Sequence, residues 1–331
     1  MQTTIVYVLV SNEKDIYLEQ LWLSLYSLRL YNPDAKAVLL TDYKTEASLV
    51  GKRSKVKEYL TDIQVVDVPY EYSPKERSRY IKTSFRKYLS GNLLFLDTDT
   101  IIAEDLSDVD QCSADVACVL DYHAPLNSLI EGDAIRKRIL DIFGEDVSDE
   151  QQYFNSGVMF VRDTPHVHQL FDIWHEKWKH SAFAKNQCFD QPALLVANKQ
   201  CGHIIQELDG IYNCQVLASI QYLHHAKIVH FFNNQWEGKS ELSPFFRDEV
   251  YLQIKEKGDI PENIKAYAAD CRAAFLSPTY FTCKQNVEYM HTLVGATLYS
   301  EWGKNGLLYR FVNWLCQVRY SLVKLKINAN V

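Results

Sequence analysis

The sequence lacks the excess of basic residues that a nucleic-acid-binding protein needs. Its 331 residues contain 35 Lys and Arg against 42 Asp and Glu, which gives a formal net charge of −7. A surface that binds a phosphate backbone must neutralise it with a surplus of Lys and Arg. We therefore expect no nucleic acid among the partners of this protein.

The sequence also lacks paired cysteines and long apolar runs. Its eight cysteines include no C-x-x-C pair, so the spacing of a zinc ribbon or a thioredoxin-like site is missing, and scattered reduced thiols are expected. No stretch reaches the roughly 18 apolar residues of a membrane-spanning helix, and the N-terminal "MQTTIVYVLVSNEKD" has no basic leader. These absences predict a cytoplasmic protein.

Short apolar runs alternate with helical patterns over the first 245 residues, and the 47% apolar composition can fill a sizeable core. This alternation predicts an α/β domain with a mostly parallel sheet, and only helical patterns follow residue 245. The predicted strands are 4–10, 35–42, 63–68, 93–96, 114–120, 156–161 and 226–232, and the helices before residue 245 are 16–31, 73–89, 166–184 and 190–199.

Two aspartates end one of these apolar runs. In "GNLLFLDTDTII", Asp97 and Asp99 follow a strand of four apolar residues. Ligands of parallel sheets bind beyond the carboxyl ends of the strands, and two adjacent carboxylates repel each other unless a cation lies between them. Mg²⁺ and Mn²⁺ commonly bridge such carboxylates to a diphosphate, although a solvated acidic turn has the same sequence.

Four motifs follow one another in an order that resembles a known family. They are "SRYIKTSFRKYLSGNLLFLDTDT", "FNSGVMFVRDT", "FDQPALLVANK" and "KIVHFF". Together they resemble the glycosyltransferases of the GT-A fold, most closely the retaining family 8 type of glycogenin and the bacterial lipooligosaccharide galactosyltransferases. The resemblance spans residues 4–232. It implies a Rossmann-like catalytic domain over 1–245, to which we add a helical extension over 246–300 and a C-terminal tail over 301–331.

The resemblance implies a metal and nucleotide site. Asp97 and Asp99 would hold Mn²⁺ or Mg²⁺ on the diphosphate of a UDP-sugar donor, with Thr98 beside them in the donor site. His230 would be the third protein ligand of the metal; a histidine satisfied by backbone groups is the alternative. Lys82 lies where the family places a basic residue that touches the donor's phosphates or sugar.

Further donor contacts are implied on either side of the aspartates. Arg79 and Arg86 lie near the helix face of Lys82 and could replace it in this role. Val10, Ser11 and Asn12, at the end of the first strand, look like the part that receives uracil and ribose.

The remaining motifs are implied to surround the donor sugar. Asn155 would donate hydrogen bonds to sugar hydroxyls, and Gly157 would allow a close backbone approach. Asp190 and Gln191 resemble the family's pair beside the anomeric carbon, where a retaining transfer needs either a nucleophile or polar stabilisation of an oxocarbenium-like centre. For Asp190, capping of the following helix is the alternative.

One segment departs from the family's pattern. The family follows its histidine with a glycine three residues later, and then with a lysine and a Pro-Trp pair that close over the diphosphate. Here the sequence reads "HFFNNQWEGKS", so Asn233 replaces the glycine, Trp236 replaces the lysine, and the next lysine is Lys239.

The C-terminal tail has its own charge pattern. Residues 302–331 contain no Asp or Glu but five basic residues in a chain that is acidic overall. Polar and apolar positions alternate at helical spacing, which predicts an amphipathic helix. Such a helix either lies on an anionic membrane surface through residues 302–327 or docks on the catalytic domain. The first alternative predicts a peripheral protein on the inner face of the cytoplasmic membrane.

Together these features predict a metal-dependent glycosyltransferase that moves a hexose from a UDP-sugar to a carbohydrate or lipid-linked glycan acceptor, with retention. Two alternatives are a haloacid-dehalogenase-like phosphatase that uses Asp97 and Asp99, and a catalytically lapsed sugar-nucleotide binding protein. A sugar-nucleotide pyrophosphorylase would need a glycine-rich loop after its first strand, and "VSNEKDI" has no glycine.

Overall fold

The computed structural model describes residues 1–232, 243–276 and 284–328. The chain divides into two compact units, Met1–Ser277 and Pro278–Val331. This division falls beyond the predicted domain boundary at 245, which stays a prediction.

The first unit is built on a large twisted sheet of seven strands with helices on both faces. The strand order is β3-β2-β1-β4-β7-β6-β8. The strands are β1 (Thr4–Leu9), β2 (Ala37–Asp42), β3 (Asp62–Val66), β4 (Leu93–Leu96), β6 (Val116–Leu120), β7 (Phe154–Val161) and β8 (Ile205–Glu207). Only β7 runs against its neighbours, β4 and β6, and all other pairs within this sheet are parallel.

A smaller sheet lies in the same unit. It consists of β5 (Thr100–Ile102), β9 (Cys214–Gln215) and β10 (Ile228–His230), with β10 in the centre. The observed strand β10 is therefore shorter than the strand predicted at 226–232. Its partner β5 is antiparallel and begins one residue after Asp99. Thr100 pairs with His230, so this small sheet places the end of β10 beside the two aspartates.

Two layers of helices bury the two faces of the large sheet. One face packs against α1 (Tyr17–Tyr31), α7 (Asp248–Lys257) and α8 (Glu262–Ala268), and the other against α3 (Pro74–Ser84), α5 (Pro165–Lys179) and α6 (Gln191–Gln200). Ser73 and Glu76 form a capping box at the start of α3, with Pro74 at its first position. The same unit also contains α2 (Tyr43–Ser48) and α4 (Gly132–Phe143).

The second unit contains three helices within the described residues: α9 (Lys284–His291), α10 (Leu293–Gly303) and α11 (Leu307–Asn328). The predicted amphipathic helix in the tail is thus present as α11. Within the described residues, no helix has the length and apolar character required to cross a bilayer. The seven cysteines within the described residues are all free thiols, in line with the prediction of reduced cysteines.

Candidate active site

The two aspartates and the histidine that the sequence singles out meet at one point. Asp97 follows β4, and its amide donates to the carbonyl of Gly157 on β7 at 2.7 Å. Thr100 pairs with His230 across β5 and β10, and the amide of Phe231 donates to the carbonyl of Asp99. As a result, one ligand atom from each of Asp97, Asp99 and His230 lies within 4.8 Å of the other two.

This donor set fits a hard divalent cation. Two carboxylates and an imidazole provide oxygen and nitrogen ligands of the kind that Mn²⁺ accepts. The Nε2 atom of His230 lies 3.2 Å from Oδ1 of Asp99, and the ring is 2% exposed. Removal from bulk water and the adjacent Asp99 carboxylate raise the pKa of Asp97, although Lys82 opposes this effect. A cation between these groups would relieve the repulsion.

Lys82 lies inside the site and links two of its carboxylates. Its Nζ atom is 3.0 Å from both carboxylate oxygens of Asp97 and 3.4 Å from Oδ2 of Asp190. The side chain is almost fully buried. Arg79, one turn earlier on α3, forms an ion pair of 3.1 Å with Oδ1 of Asp190. Lys82 therefore bridges the cluster of Asp97, Asp99 and His230 to the predicted catalytic carboxylate, Asp190.

Arg86, which shares the basic segment, is placed elsewhere. Its guanidinium donates to the carbonyl of Gly91 at 2.7 Å and pairs with Asp163 at 3.2 Å. Neither partner belongs to the cluster of Asp97 and Asp99. It therefore cannot take the place of Lys82 in the site.

Asp190 is a buried carboxylate held by several donors. In addition to the two cations, Ser156 Oγ donates to its Oδ2 at 2.8 Å. Burial raises the pKa of Asp190, but the charges of Arg79 and Lys82 outweigh this effect and hold the pKa well below its usual range. Its side chain makes no capping hydrogen bond to α6, so the capping alternative is wrong.

Asn155 and Gln191 converge on a residue that the sequence reading missed, Asp121. Asn155 Nδ2 donates to Oδ1 of Asp121 at 2.8 Å, and the Gln191 side chain also hydrogen-bonds this carboxyl. Gln191 Nε2 donates in addition to the carbonyl of Phe154. Asp121 follows β6 directly, just as Asp97 follows β4, and this position was the signal that could have identified it.

A strained turn follows Asp121. Tyr122 and His123 both have positive φ values, 55° and 54°, which non-glycine residues rarely adopt. Gln215 on β9 holds this turn through two hydrogen bonds. Its side-chain Oε1 accepts from the backbone amide of Tyr122 at 2.7 Å, and its backbone amide donates to Nε2 of His123. Burial, reinforced by the nearby His230, lowers the pKa of His123 to about 4. Neutral His123 can therefore accept the Gln215 hydrogen bond near neutral pH.

The predicted nucleotide loop is organised by Asp15, which sequence reasoning also missed. Ser11 Oγ donates to Asp15 Oδ1 and the amide of Asn12 donates to Asp15 Oδ2, both at 2.7 Å. Val10 and Ser11 are buried, whereas Asn12 is exposed. Thr98, between the two aspartates, donates to Oε1 of Gln20 on α1 at 3.3 Å.

Gly157 has the close approach that the sequence predicts, but to protein groups. A Cβ atom at this position would lie 2.3 Å from Cε1 of His230, 2.9 Å from Oδ1 of Asn155 and 3.0 Å from Oδ2 of Asp97. Asn233, Trp236 and Lys239, where the sequence departs from the family's pattern, lie outside the described residues.

Comparisons with known proteins agree with this architecture. Residues 89–252, just under half of the chain, match the sequence model of a family described as nucleotide-diphospho-sugar transferase. No curated protein matches significantly. The galactosyltransferase LgtC, solved with donor and acceptor sugar analogs, superposes with a TM-score of 0.50 at 15% identity over 80% of this chain and 99% of LgtC.

Two other solved structures are similar at lower scores. Mouse xyloside xylosyltransferase 1, in its apo form, has a TM-score of 0.46 at 14% identity over 70% of this chain and 98% of its own. GlyE of Streptococcus pneumoniae TIGR4 has a TM-score of 0.45 at 14% identity over 85% of this chain and 66% of its own.

The fold class predicted from the sequence is confirmed by the likeness to LgtC. The matched segment contains Asp97, Asp99, Asn155, Asp190 and His230. The chain therefore has a GT-A fold, and its residues 89–252 match the family model described as nucleotide-diphospho-sugar transferase.

Proposed function

We propose that the protein is a metal-dependent glycosyltransferase of the family 8 type, which transfers a hexose from a UDP-sugar to a carbohydrate or lipid-linked glycan acceptor with retention. The observation that carries this proposal is the meeting of Asp97, Asp99 and His230 within 4.8 Å, with Lys82 joining Asp97 to Asp190. A phosphatase is not favoured, because the segment with both aspartates matches the transferase family.

In this proposal the residues divide the work between the diphosphate and the sugar. Asp97, Asp99 and His230 hold Mn²⁺ or Mg²⁺, which when bound neutralises charge on the departing diphosphate. Lys82 fixes Asp190 at a set distance from the metal ligands. Val10, Ser11 and Asn12 receive the uracil and ribose, with Asp15 holding the loop in shape.

The surroundings of Asp190 support a role in charge stabilisation. Ion pairs with Arg79 and Lys82 and a hydrogen bond from Ser156 occupy both carboxylate oxygens. A carboxylate engaged in this way is a weak nucleophile, but its negative charge still favours a developing oxocarbenium-like centre. We therefore favour attack by the acceptor on the face from which the diphosphate leaves, which retains the anomeric configuration.

The decisive experiment is UDP release from a panel of UDP-sugars with Mn²⁺, repeated with EDTA and with Asp99→Ala. We expect slow hydrolysis of one donor that disappears in both cases. Asp172→Ala is a matched control, because Asp172 is an exposed partner of Lys87 at 3.0 Å. Donor binding without turnover in any arm would identify a lapsed sugar-nucleotide binding protein, and metal-independent turnover would contradict the proposed metal role.

We also propose that α11 attaches the enzyme to an anionic membrane surface, consistent with a lipid-linked acceptor. The support is an exposed apolar set in a segment without acidic residues: Leu307, Leu308, Phe311, Trp314, Leu315 and Val318 are all at least 40% exposed. The rings of Phe311 and Trp314 are stacked, with centroids 6.1 Å apart. Aromatic and basic side chains on one helix suit the boundary between headgroups and acyl chains.

A further inference from the structure

Four buried side chains form a continuous row of hydrogen bonds that ends at the metal cluster. Asp121 contacts Asn155 at 2.8 Å, Asn155 contacts Asn213 at 2.9 Å, and Asn213 contacts Nδ1 of His230 at 2.9 Å. Their exposed fractions are 7%, 4%, 0% and 2% in this order. Asn213 lies beside β9, so it reaches His230 across the small sheet. The sequence reading assigned no role to Asn213.

The direction of each hydrogen bond in this row can be worked out from one fixed donor. The backbone amide of Gly157 can only donate, and it points at the Oδ1 atom of Asn155 at 2.9 Å. Asn155 must therefore turn its Nδ2 group towards Asp121. Its Oδ1 atom also faces Asn213, so Asn213 presents Nδ2 to Asn155 and Oδ1 to His230. Since an amide oxygen only accepts, Nδ1 of His230 carries a proton.

The proton on Nδ1 determines what the other ring nitrogen can do. A neutral imidazole has one N–H group, so Nε2 keeps a lone pair that points towards Asp99. In the opposite tautomer Nε2 would donate to Oδ1 of Asp99, which lies 3.2 Å away. That hydrogen bond would remove the nitrogen ligand and occupy a carboxylate lone pair at the same time. The tautomer thus decides whether this cluster can bind a cation.

We propose that Asn213 is a positioning residue that fixes His230 in the tautomer with the proton on Nδ1, and that Asn155 orients Asn213 for this task. The proposal rests on the metal-dependent function proposed above, because the tautomer matters through cation binding at Nε2. It gives Asn155 a second role beside the predicted contact with the donor sugar. The competing explanation is that Asn213 merely satisfies buried polar groups, without any effect on the tautomer.

The tautomer can be read directly in the metal-free, full-length protein. Long-range ¹H–¹⁵N NMR of ¹⁵N-histidine-labelled protein, recorded well above the usual histidine pKa, distinguishes protonated from unprotonated ring nitrogens; His230→Gln identifies the His230 signals. We expect wild type to show N–H at Nδ1. Asn213→Leu removes the acceptor and should shift His230 towards N–H at Nε2. Asn213→Asp keeps an acceptor and should preserve the wild-type tautomer.

A matched control separates this effect from the loss of any buried amide. Asn198 is 4% exposed, and its Oδ1 accepts from the amide of Ile205 at 3.0 Å. Asn198→Leu should therefore lower stability without changing the His230 signals. If wild type shows N–H at Nε2, or if Asn213→Leu folds and leaves the tautomer unchanged, the proposal is overturned. If Asn213→Leu does not fold, loss of the wild-type tautomer in Asn213→Asp overturns it instead.

Cation affinity gives the second readout. Electron paramagnetic resonance of free Mn²⁺ measures binding to each variant without substrate. Groups that orient a metal-binding histidine typically change affinity by about 10–100-fold, and we expect a loss of this size for Asn213→Leu and little change for Asn198→Leu. A wild-type protein that has the Nδ1–H tautomer but binds no Mn²⁺ would contradict the proposed metal-dependent function. Equal losses of Mn²⁺ affinity in Asn213→Leu and Asn198→Leu would contradict the positioning role of Asn213.

Discussion

At the scale of single residues, Gly157 shows how little space remains around Asp97 and His230, two of the three proposed metal ligands. A methyl group there would collide with His230 and press against Asn155 and Asp97, with the shortest distance only 2.3 Å. We expect Gly157→Ala to lower the free energy of unfolding by about 1–3 kcal/mol through overpacking, and to weaken Mn²⁺ binding because the ligands must move. Urea unfolding and Mn²⁺ titration measure the two effects.

The control for this substitution is Gly303→Ala, where a new Cβ meets nothing within 4 Å. It should leave Mn²⁺ binding unchanged and should not lower the free energy of unfolding, because alanine favours a helix more than glycine does. A Gly157→Ala protein that binds Mn²⁺ as tightly as wild type would show that the three ligands are not confined as the structure indicates.

Lys82 is the second residue for which we expect a large effect of substitution on stability. Its ammonium group is the buried countercharge of both Asp97 and Asp190. Breaking a buried ion pair by removing one partner typically costs about 3–5 kcal/mol, so Lys82→Gln should be strongly destabilised. A bound cation would replace part of the lost positive charge. We therefore expect Mn²⁺ to raise the melting temperature more in Lys82→Gln than in wild type.

Lys87→Gln is the matched control, because Lys87 forms an exposed pair with Asp172 at 3.0 Å. Exposed pairs contribute about 0–1 kcal/mol. Equal losses in the two variants, or the same Mn²⁺ response in Lys82→Gln and wild type, would contradict the bridging role of Lys82.

The sequence could predict those residues of the site that are recognisable from their immediate neighbours in the chain. Asp97 and Asp99 stand out because charges follow an apolar strand directly, and this property depends on neighbouring residues alone. Asn213 could not be found in this way, because its role depends on Asn155 and His230, which are 58 and 17 residues away. Polar networks that cross the fold leave no local pattern in the sequence.

At the scale of elements, the docking of α7 against α1 includes a buried acid. Glu19 is 1% exposed, and its nearest cation is Lys255 on α7, at 3.8 Å. Burial raises the pKa of Glu19 from 4.5 to about 7, although Lys255 lowers it. Between these two pH values the folded protein retains a proton that the unfolded chain has lost. Stability from this group is therefore lost as the pH rises towards and through 7.

Glu19→Gln should remove this dependence, because a neutral amide resembles the protonated acid. We expect the variant to gain up to about 3 kcal/mol relative to wild type at about pH 8, and much less at about pH 5. Urea unfolding at both pH values measures the difference. Glu46→Gln, in an exposed pair with Lys57 at 3.5 Å, should show no such trend. A Glu19→Gln effect that is equal at both pH values would contradict this assignment.

The elements themselves were largely predictable, but the direction of one strand was not. Strand β7 is buried at all eight positions, as expected of a central strand. A strand that is buried on both faces has the same pattern in either direction. Its antiparallel course between β4 and β6 follows from the path of the whole chain. The predicted run at 226–232 shortens to β10 because β5 offers only three residues for pairing.

At the scale of the whole molecule, charge is distributed unevenly along the chain. The chain carries a formal net charge of −7, yet residues 302–331 have five basic residues and no acidic ones. A protein that is repelled by anionic lipid as a whole can still bind it through one basic segment, because the Debye length is only about 8–10 Å near physiological salt. The sequence was sufficient to find this segment, but membrane contact also depends on a lipid surface that no sequence describes.

The proposed membrane contact predicts a salt-sensitive and lipid-selective association of the full-length protein. It should sediment with vesicles that contain phosphatidylserine and not with vesicles of phosphatidylcholine alone, and raised salt should weaken binding because screening shortens the electrostatic range. Replacing Phe311 and Trp314 by Ser removes the stacked aromatic pair and should reduce binding at least about tenfold through lost apolar burial. Leu140→Ser, at an exposed site of the first unit, should bind as wild type does. Binding that ignores lipid charge, or that survives the double substitution, would contradict attachment through α11, and the absence of binding to either kind of vesicle would favour docking of α11 on protein.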